Sequence, residues 1–369
     1  MGNFLQIGPY DGDLNPRDTS WVRYCSVLFV DSPAGSGFSY ADSEQLFTSD
    51  VSGVVTDLIE YLRQFFSVKH REFKGIPFYI VGSSYSGKVA PRLALRLRKE
   101  IENGRIDSNL KGVAIGGPWI APIISVKSYG NFWHSMSMID STGKTKVDEL
   151  AGRFADLLES SQGGNQRAYN LFCDILSMGP YKGRADVNVY NVRESNNASY
   201  ISDPADADRR WWTYTINESP ALKKALGELK RSRPDLKHFR YIEEIKPYSI
   251  DVHRKLRDDC FTEYESFKII SEILHTTNLT VVVYNGQLDG IVTPIGTEAV
   301  LNNLKWYGAR EFINAHTNYF KTPGDKDNSG FVKRYAGLSY YVVYGAGHYV
   351  FAEKGMAGLK ILKDMVNEK

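Results

Sequence analysis

A serine in a glycine-rich turn is the first residue whose context could support nucleophilic catalysis. Ser84 lies within Gly82-Ser-Ser-Tyr-Ser-Gly87, between a short apolar run and an amphipathic segment. A nucleophile elbow requires such a strand-to-helix turn, with small residues two positions before and two positions after the serine. Gly82 and Ser86 satisfy this requirement around Ser84, whereas Ser86 lacks a glycine two positions before it. Ser84 is therefore the candidate nucleophile.

A nucleophilic serine needs a base and an acid that orients the base, and two residues late in the sequence fit these roles. Asp289 and His348 each follow an apolar run, so both lie at the carboxyl ends of predicted strands, where open α/β sheets build their sites. The order serine, aspartate, histidine is that of α/β-hydrolases. We expect Ser84, Asp289 and His348 to form a catalytic triad, with the backbone N–H of Tyr85 donating to the oxyanion.

The glycine-rich turn leaves two other interpretations open. It can be a strand-to-helix turn without any chemistry. The spacing from Gly82 to Gly87 and Lys88 also nearly matches a phosphate-binding loop, but Val89 stands where that loop needs a hydroxyl to bind Mg²⁺. ATPase or GTPase chemistry would lack its metal ligand there, so we do not favour it.

The elements that must position these residues alternate along the chain. Short apolar runs predict strands buried on both faces, and apolar residues at helical spacing predict amphipathic helices. The predicted strands cover 26–30, 78–81, 113–115, 279–284 and 340–344, and the predicted helices cover 50–66, 88–101, 298–306 and 356–366. This order predicts a mostly parallel central sheet flanked by helices.

A more polar segment of mixed charge separates the two ends of this pattern. Its helical stretches, such as 221–229, are not separated by apolar strands, so we expect a mainly helical lid. The expected organisation is therefore 1–142 as the N-terminal part of the core, 143–275 as the lid and 276–369 as the C-terminal part of the core. We expect Trp211 and Trp212 to pack inside the lid rather than to line a substrate groove.

Composition and charge narrow the function classes. Of the 369 residues, 42% are hydrophobic and 24% are charged, which is typical of globular proteins. The 45 basic and 43 acidic residues leave a net charge of +2, so no charge excess favours nucleic acid or an acidic membrane as a partner. No apolar stretch is long enough to span a bilayer.

The three cysteines, Cys25, Cys173 and Cys260, are too few and too scattered for a zinc site. We therefore expect no metal. One disulfide and one free thiol are possible, and the sequence does not say which two cysteines would pair.

Four motifs together resemble the serine carboxypeptidase family, and Gly2-Asn-Phe-x-x-Ile-Gly-Pro9 with Tyr284-Asn-Gly-Gln-Leu-Asp289 resemble its retinoid-inducible branch. The four motifs are Asp31-x-Pro-x-Gly-x-Gly-Phe-Ser-Tyr40, the elbow around Ser84, Asn285-Gly-Gln-Leu-Asp289 and Gly345-Ala-Gly-His348. The resemblance implies an α/β-hydrolase fold with a helical insertion, no cofactor, and removal of C-terminal residues from peptide or protein substrates. It also implies that Ser84 is the nucleophile, that His348 is the general base and that Asp289 orients the imidazole.

The chain departs from the family pattern where the substrate carboxylate is held. The family uses two glutamic acids there, and the matching positions in this chain are Gln6 and Ser83. Gln6 can still donate a hydrogen bond to a carboxylate, whereas the side chain of Ser83 is short. We expect weaker recognition of the C-terminal carboxylate and a flatter acid side of the pH profile of activity.

The alternative function is a catalytically impaired carboxypeptidase-like protein that binds peptides or partners.

The family also has an Asn-Gly-Gly-Pro-Gly-like loop at a position that precedes residue 1, and this loop supplies a second oxyanion N–H. We therefore expect a sheet without its first strands and with an exposed strand edge.

Residues 1–6 have neither the basic start nor the apolar run of a signal peptide, although the resemblance implies a secreted or lysosomal protein. Asn197, Asn217 and Asn278 begin glycosylation sequons, about as many as chance would produce.

Overall fold

The computed structural model describes residues 2–11, 13–37, 39–160, 165–178, 187–195, 249–261 and 265–367, with a few isolated positions between 224 and 232. The predicted helix over 221–229, the Trp211-Trp212 pair and the sequons at Asn197 and Asn217 lie outside the continuous described ranges. No helix among the described residues is both long enough and apolar enough to cross a bilayer.

A six-stranded mixed sheet forms the centre of the described structure. The strands of the chain are β1 (Pro77–Ser83), β2 (Asn109–Gly116), β3 (Val187–Asn188), β4 (Asn191–Ser195), β5 (Thr280–Gly286), β6 (Thr317–Phe320), β7 (Gly330–Tyr335) and β8 (Leu338–Val343). The strand order is β1-β2-β5-β8-β7-β6; the first four strands run parallel, and β7 and β6 join antiparallel. β3 and β4 form a separate antiparallel hairpin. The predicted α/β-hydrolase fold with a mostly parallel sheet is confirmed.

Helices cover both faces of this sheet. They are α1 (Val51–Gln64), α2 (Ser86–Glu102), α3 (Pro122–Lys127), α4 (Tyr129–Ser135), α5 (Ser141–Glu159), α6 (Asn165–Met178), α7 (Ile250–Cys260), α8 (Glu265–Thr276), α9 (Pro294–Asn302), α10 (Ala309–Asn314), α11 (Val350–Glu353) and α12 (Gly355–Asn367). The predicted helix over 298–306 begins earlier, at Pro294, because Thr293 caps it through its hydroxyl and proline fits the first helical position.

The two faces of the sheet bury separate apolar cores. Along β5, Val281 and Val283 enter the core shared with α1, α2 and α8, while Val282 and Tyr284 enter the core shared with α12. This alternation is the two-residue period of a strand, and it explains why a strand covered on both sides is apolar at every position.

The middle of the chain, predicted as a mainly helical lid, contains α6, α7, α8 and most of α5 in its described part. α4, α5 and α6 share an apolar core of their own, whereas α8 packs against α2 and β5 in the sheet's core. The hairpin β3–β4 was not expected from the sequence. The division into 1–142, 143–275 and 276–369 stays a prediction.

The predicted strand over 26–30 is wrong. This segment is irregular, and Leu28, Phe29 and Val30 are exposed. An apolar run forms a strand only where a neighbouring strand accepts and donates its backbone hydrogen bonds, and no described strand pairs with 26–30. β1 lies at an edge of the sheet, with the side chain of Val81 38% exposed.

Candidate active site

Ser84 lies in the sharp turn between β1 and α2, and its φ angle is +57°. Left-handed backbone at a non-glycine residue costs about 1–3 kcal/mol and persists only where surrounding contacts fix it. Here the N–H of Ser84 donates to the carbonyl of Gly116 at 2.8 Å, and its carbonyl accepts from the N–H of Gly87 at 2.8 Å and of Trp119 at 3.0 Å. The turn therefore projects Ser84 from the end of β1 and is fixed by the loop after β2.

Close packing explains why small residues flank Ser84. A Cβ atom on Gly82 would lie 2.6 Å from the Cβ of Ser86, and a Cβ atom on Gly87 would lie 2.8 Å from the Cβ of Pro118. Real Cβ atoms do not approach that closely, so β1, α2 and the loop after β2 meet only because these positions are glycine. This is the steric requirement on which the elbow prediction depends.

His348 and Asp289 form a buried pair. His348 Nδ1 lies 2.7 Å from Asp289 Oδ2, and the two residues are 3% and 0% exposed. The other carboxylate oxygen, Oδ1, accepts from the N–H of Ile291 at 3.1 Å and of Val292 at 2.8 Å. A carboxylate fixed in this way orients the imidazole with its proton on Nδ1, so Nε2 is the nitrogen that can accept a proton.

The loops that carry this pair are joined to each other. The N–H of Leu288 donates to the carbonyl of Ala346 at 2.7 Å. The fully buried Asn285 closes the first loop, because its Nδ2 donates to the carbonyl of Val292 at 2.7 Å. β5 and β8 are parallel neighbours, so their carboxyl ends bring Asp289 and His348 to the same edge of the sheet as the Ser84 turn.

Gly117, a residue that sequence reasoning missed, closes onto the histidine–aspartate pair. A Cβ atom at this position would lie 2.9 Å from both Nδ1 and Cε1 of His348 and 3.0 Å from Asp289 Oδ2. Its φ angle is +44°, and its N–H donates to the carbonyl of Tyr284 at 2.8 Å. The signal in the sequence was a glycine pair directly after a predicted strand, at the sheet edge that carries the other site residues.

We expect Gly117→Ala to lower kcat/KM about 10²-fold, since a displacement of about 1 Å at a reacting group can cost that much. The added methyl group must push the imidazole away from Asp289. The measurement is the rate of fluorophosphonate labelling at Ser84, with circular dichroism to verify folding. Gly104→Ala is the matched control, because Gly104 has φ of +68° and nothing within 4 Å of its would-be Cβ. Equal losses in both variants would mean that backbone strain, and not contact with the pair, causes the effect.

Tyr85 and Lys88 attach the elbow helix to α7. The hydroxyl of Tyr85 donates to Asp259 Oδ2 at 3.0 Å, and burial together with the nearby Cys260 and Asp259 raises the pKa of this phenol well above its usual range. The buried Nζ of Lys88 donates to the carbonyl of Asp259 at 2.8 Å. This contact argues against the phosphate-loop interpretation, which needs that ammonium at a bound phosphate. Tyr85 precedes the first residue of α2, so its own N–H lies outside the hydrogen-bonding ladder of the helix.

The two residues expected to hold a substrate carboxylate lie on elements that adjoin the triad. Ser83 ends β1 directly before Ser84. Gln6 is buried in a π-helical turn, Gly2–Ile7, that packs against α11, the helix that begins two residues after His348. Asn278, the described sequon, is exposed between α8 and β5.

Comparisons with known proteins agree with this architecture. The serine carboxypeptidase family model matches residues 1–368. Human retinoid-inducible serine carboxypeptidase is 33% identical over 98% of this chain and 80% of its own length. Serine carboxypeptidase-like 51 of Arabidopsis thaliana is 28% identical over 99% of this chain and 81% of its own length.

A solved structure shares the fold. Kex1(delta)p, a prohormone-processing carboxypeptidase from Saccharomyces cerevisiae, superimposes with a TM-score of 0.82 at 23% identity, covering 99% of this chain and 80% of that one. The match of the family model over nearly every residue, together with the human relative, shows that this chain belongs to the serine carboxypeptidase family.

Proposed function

We propose that the chain hydrolyses C-terminal peptide bonds through an acyl-enzyme on Ser84. Membership of the serine carboxypeptidase family and the fold support a serine carboxypeptidase function. The observation that carries the assignment of residues is the buried His348–Asp289 pair, 2.7 Å apart, at the sheet edge that also holds the strained turn of Ser84.

The steps follow from the groups at this edge. Ser84 Oγ attacks the scissile carbonyl carbon while His348 Nε2 takes the hydroxyl proton, and Asp289 stabilises the imidazolium that forms. The N–H of Tyr85 donates to the oxyanion. The tetrahedral intermediate collapses as His348 returns the proton to the leaving amine, which departs as the C-terminal residue. Water, deprotonated by His348, then attacks the acyl-enzyme and frees Ser84.

The direct test is to incubate the protein with a defined peptide and to measure the mass of that peptide over time by mass spectrometry. The expected result is the release of single amino acids from its C-terminus. Stepwise loss from the C-terminus supports the proposal. Cleavage of a small ester without any loss of C-terminal residues would instead indicate an esterase on the same triad.

We expect the chain to discriminate weakly between a peptide with a free C-terminal carboxylate and its C-terminal amide. The reason is that Gln6 and Ser83 stand where the family has two glutamic acids, so the expected ratio of kcat/KM values is within about tenfold, or about 1.4 kcal/mol. The measurement compares the two peptides at the same sequence and pH. Ser83→Glu is the matched gain-of-function variant, and it is expected to raise the ratio on the acid side of the pH profile. A strong free-acid preference in the wild-type protein would contradict this expectation.

The alternative of a catalytically impaired binding protein has less support. Candidate nucleophile, base and acid are all present, and the base and acid are buried and hydrogen-bonded. An unused site would have no need to retain a buried pair of ionisable groups, since their desolvation is costly.

Peptide substrates follow from membership of the family. We further propose that the substrates are free C-termini of peptides or proteins and that the chain acts in the secretory pathway or the lysosome. Membership of the family supports the second point, and Asn278 is exposed, as a glycan acceptor in a secretory protein must be.

A further inference from the structure

The hairpin β3–β4, which lies within the predicted lid range, contacts both loops of the histidine–aspartate pair. The N–H of Gly290 donates to the carbonyl of Val189 at 2.8 Å, beside Asp289. The N–H of His348 itself donates to the carbonyl of Tyr190 at 2.6 Å. The hairpin therefore fixes the backbone of the base directly.

Ring packing and close backbone contact strengthen this junction. The ring of Tyr190 lies edge-on to the imidazole of His348, with 5.4 Å between centroids. A Cβ atom on Gly347 would lie 2.2 Å from the carbonyl oxygen of Tyr190. The hairpin can therefore pack against the His348 loop only because the residue before the base is glycine.

Glu353, at the end of α11, joins the two sides of the junction. Its Oε2 accepts from the N–H of Gly347 at 2.8 Å and from Nδ2 of Asn191 at 2.6 Å. Asn191 is 2% exposed. One carboxylate oxygen thus holds the backbone immediately before His348 and the first residue of β4. Burial raises the pKa of the Glu353 carboxyl, and the negative charges of Glu194 and Asp289 act in the same direction.

We propose that Glu353 is a positioning residue for the catalytic base, His348. The carboxylate of Glu353 binds both Gly347 and the hairpin residue Asn191, and these contacts keep the imidazole hydrogen-bonded to Asp289. The lid range thereby contributes to the geometry of the base. The consequence for catalysis rests on the proposed function; the consequence for the imidazole geometry does not.

The experiment compares Glu353→Leu with Glu353→Gln in the full chain labelled with ¹⁵N-histidine. Glutamine keeps an oxygen that can accept both hydrogen bonds, whereas leucine has none. We expect the downfield Nδ1–H resonance of His348, assigned by its loss in Asp289→Asn, to shift or broaden in Glu353→Leu and to persist in Glu353→Gln. In the same variants we expect kcat to fall about tenfold to a hundredfold for leucine with KM nearly unchanged, and to recover for glutamine.

Two further variants keep the proposal falsifiable. Asn191→Ala removes the hairpin side of the contact and is expected to reproduce part of the effect even if Glu353→Leu fails to fold. Glu311→Leu is the matched control, since Glu311 is an exposed carboxylate on α10, outside the hairpin and the loops of the pair, and this variant should leave the resonance in place. An unchanged resonance in folded Glu353→Leu or in Asn191→Ala overturns the proposal. A wild-type chain that keeps the resonance but takes no fluorophosphonate label would refute the proposed function alone.

Discussion

Ser84→Ala is expected to lower kcat for release of C-terminal residues by about 10⁴- to 10⁶-fold, the range seen when a member of a serine triad is removed. The reason is that the hydroxyl at this position is the nucleophile, and methyl cannot form an acyl-enzyme. The fold should survive, because the contacts that fix the turn are made by the backbone of Ser84. The measurement is peptide hydrolysis together with fluorophosphonate labelling and peptide mapping.

Ser86→Ala is the matched control for this result. It removes the same hydroxyl group two residues later, and alanine is no larger than serine where Gly82 packs against it. We expect labelling and hydrolysis within a few-fold of the wild-type values. If Ser84→Ala kept its activity while Ser86→Ala lost it, the nucleophile would be assigned to the wrong serine.

Asp289→Asn is expected to lower kcat by about 10⁴-fold while leaving the fold intact. The structure gives a specific reason. The N–H groups of Ile291 and Val292 both donate to Oδ1 of Asp289, so the amide oxygen of the variant must occupy that position. Its NH₂ group then faces Nδ1 of His348 and forces the proton of the imidazole onto Nε2, the nitrogen that has to accept the proton of Ser84.

The measurement is kcat across the pH range, with the thermal unfolding temperature of each variant. Asp364→Asn is the matched control. Asp364 is also a partly buried carboxylate that accepts several hydrogen bonds, from Arg334, Tyr341 and Lys360. It lies on α12. That variant should lose stability and keep its kcat. A comparable loss of kcat in both variants would attribute the effect of Asp289→Asn to general destabilisation.

The sequence predicted the sheet and the triad candidates because their signals are local. An elbow is defined within six residues around Ser84, and the buried runs at 279–284 and 340–344 carry the next two site residues at their ends. Parallel neighbours must then place those ends together, so the positions of Asp289 and His348 follow from strand order alone.

The remaining features depend on contacts that local patterns do not encode. The run at 26–30 has strand composition, but composition does not reveal whether a partner strand is adjacent. Gly117 matters because of what β5 and β8 bring against it, far away in sequence. The strands of the 187–195 hairpin are two and five residues long, which is too short for an alternating pattern to be recognised.

The partial burial of Glu353 has a consequence for how the stability of the chain depends on pH. Because burial raises the pKa of this carboxyl above its ordinary value of 4.5, the folded chain binds a proton there more tightly than the unfolded chain. Proton uptake at this residue therefore favours folding: the stabilisation is fully present below pH 4.5 and is lost as the pH rises through the higher pKa of the folded state. Paired carboxylates usually lose their contribution in acid. At Glu353 acid instead removes the cost of keeping a charge away from water, while the hydrogen bonds from Gly347 and Asn191 favour the charged form and offset part of that gain.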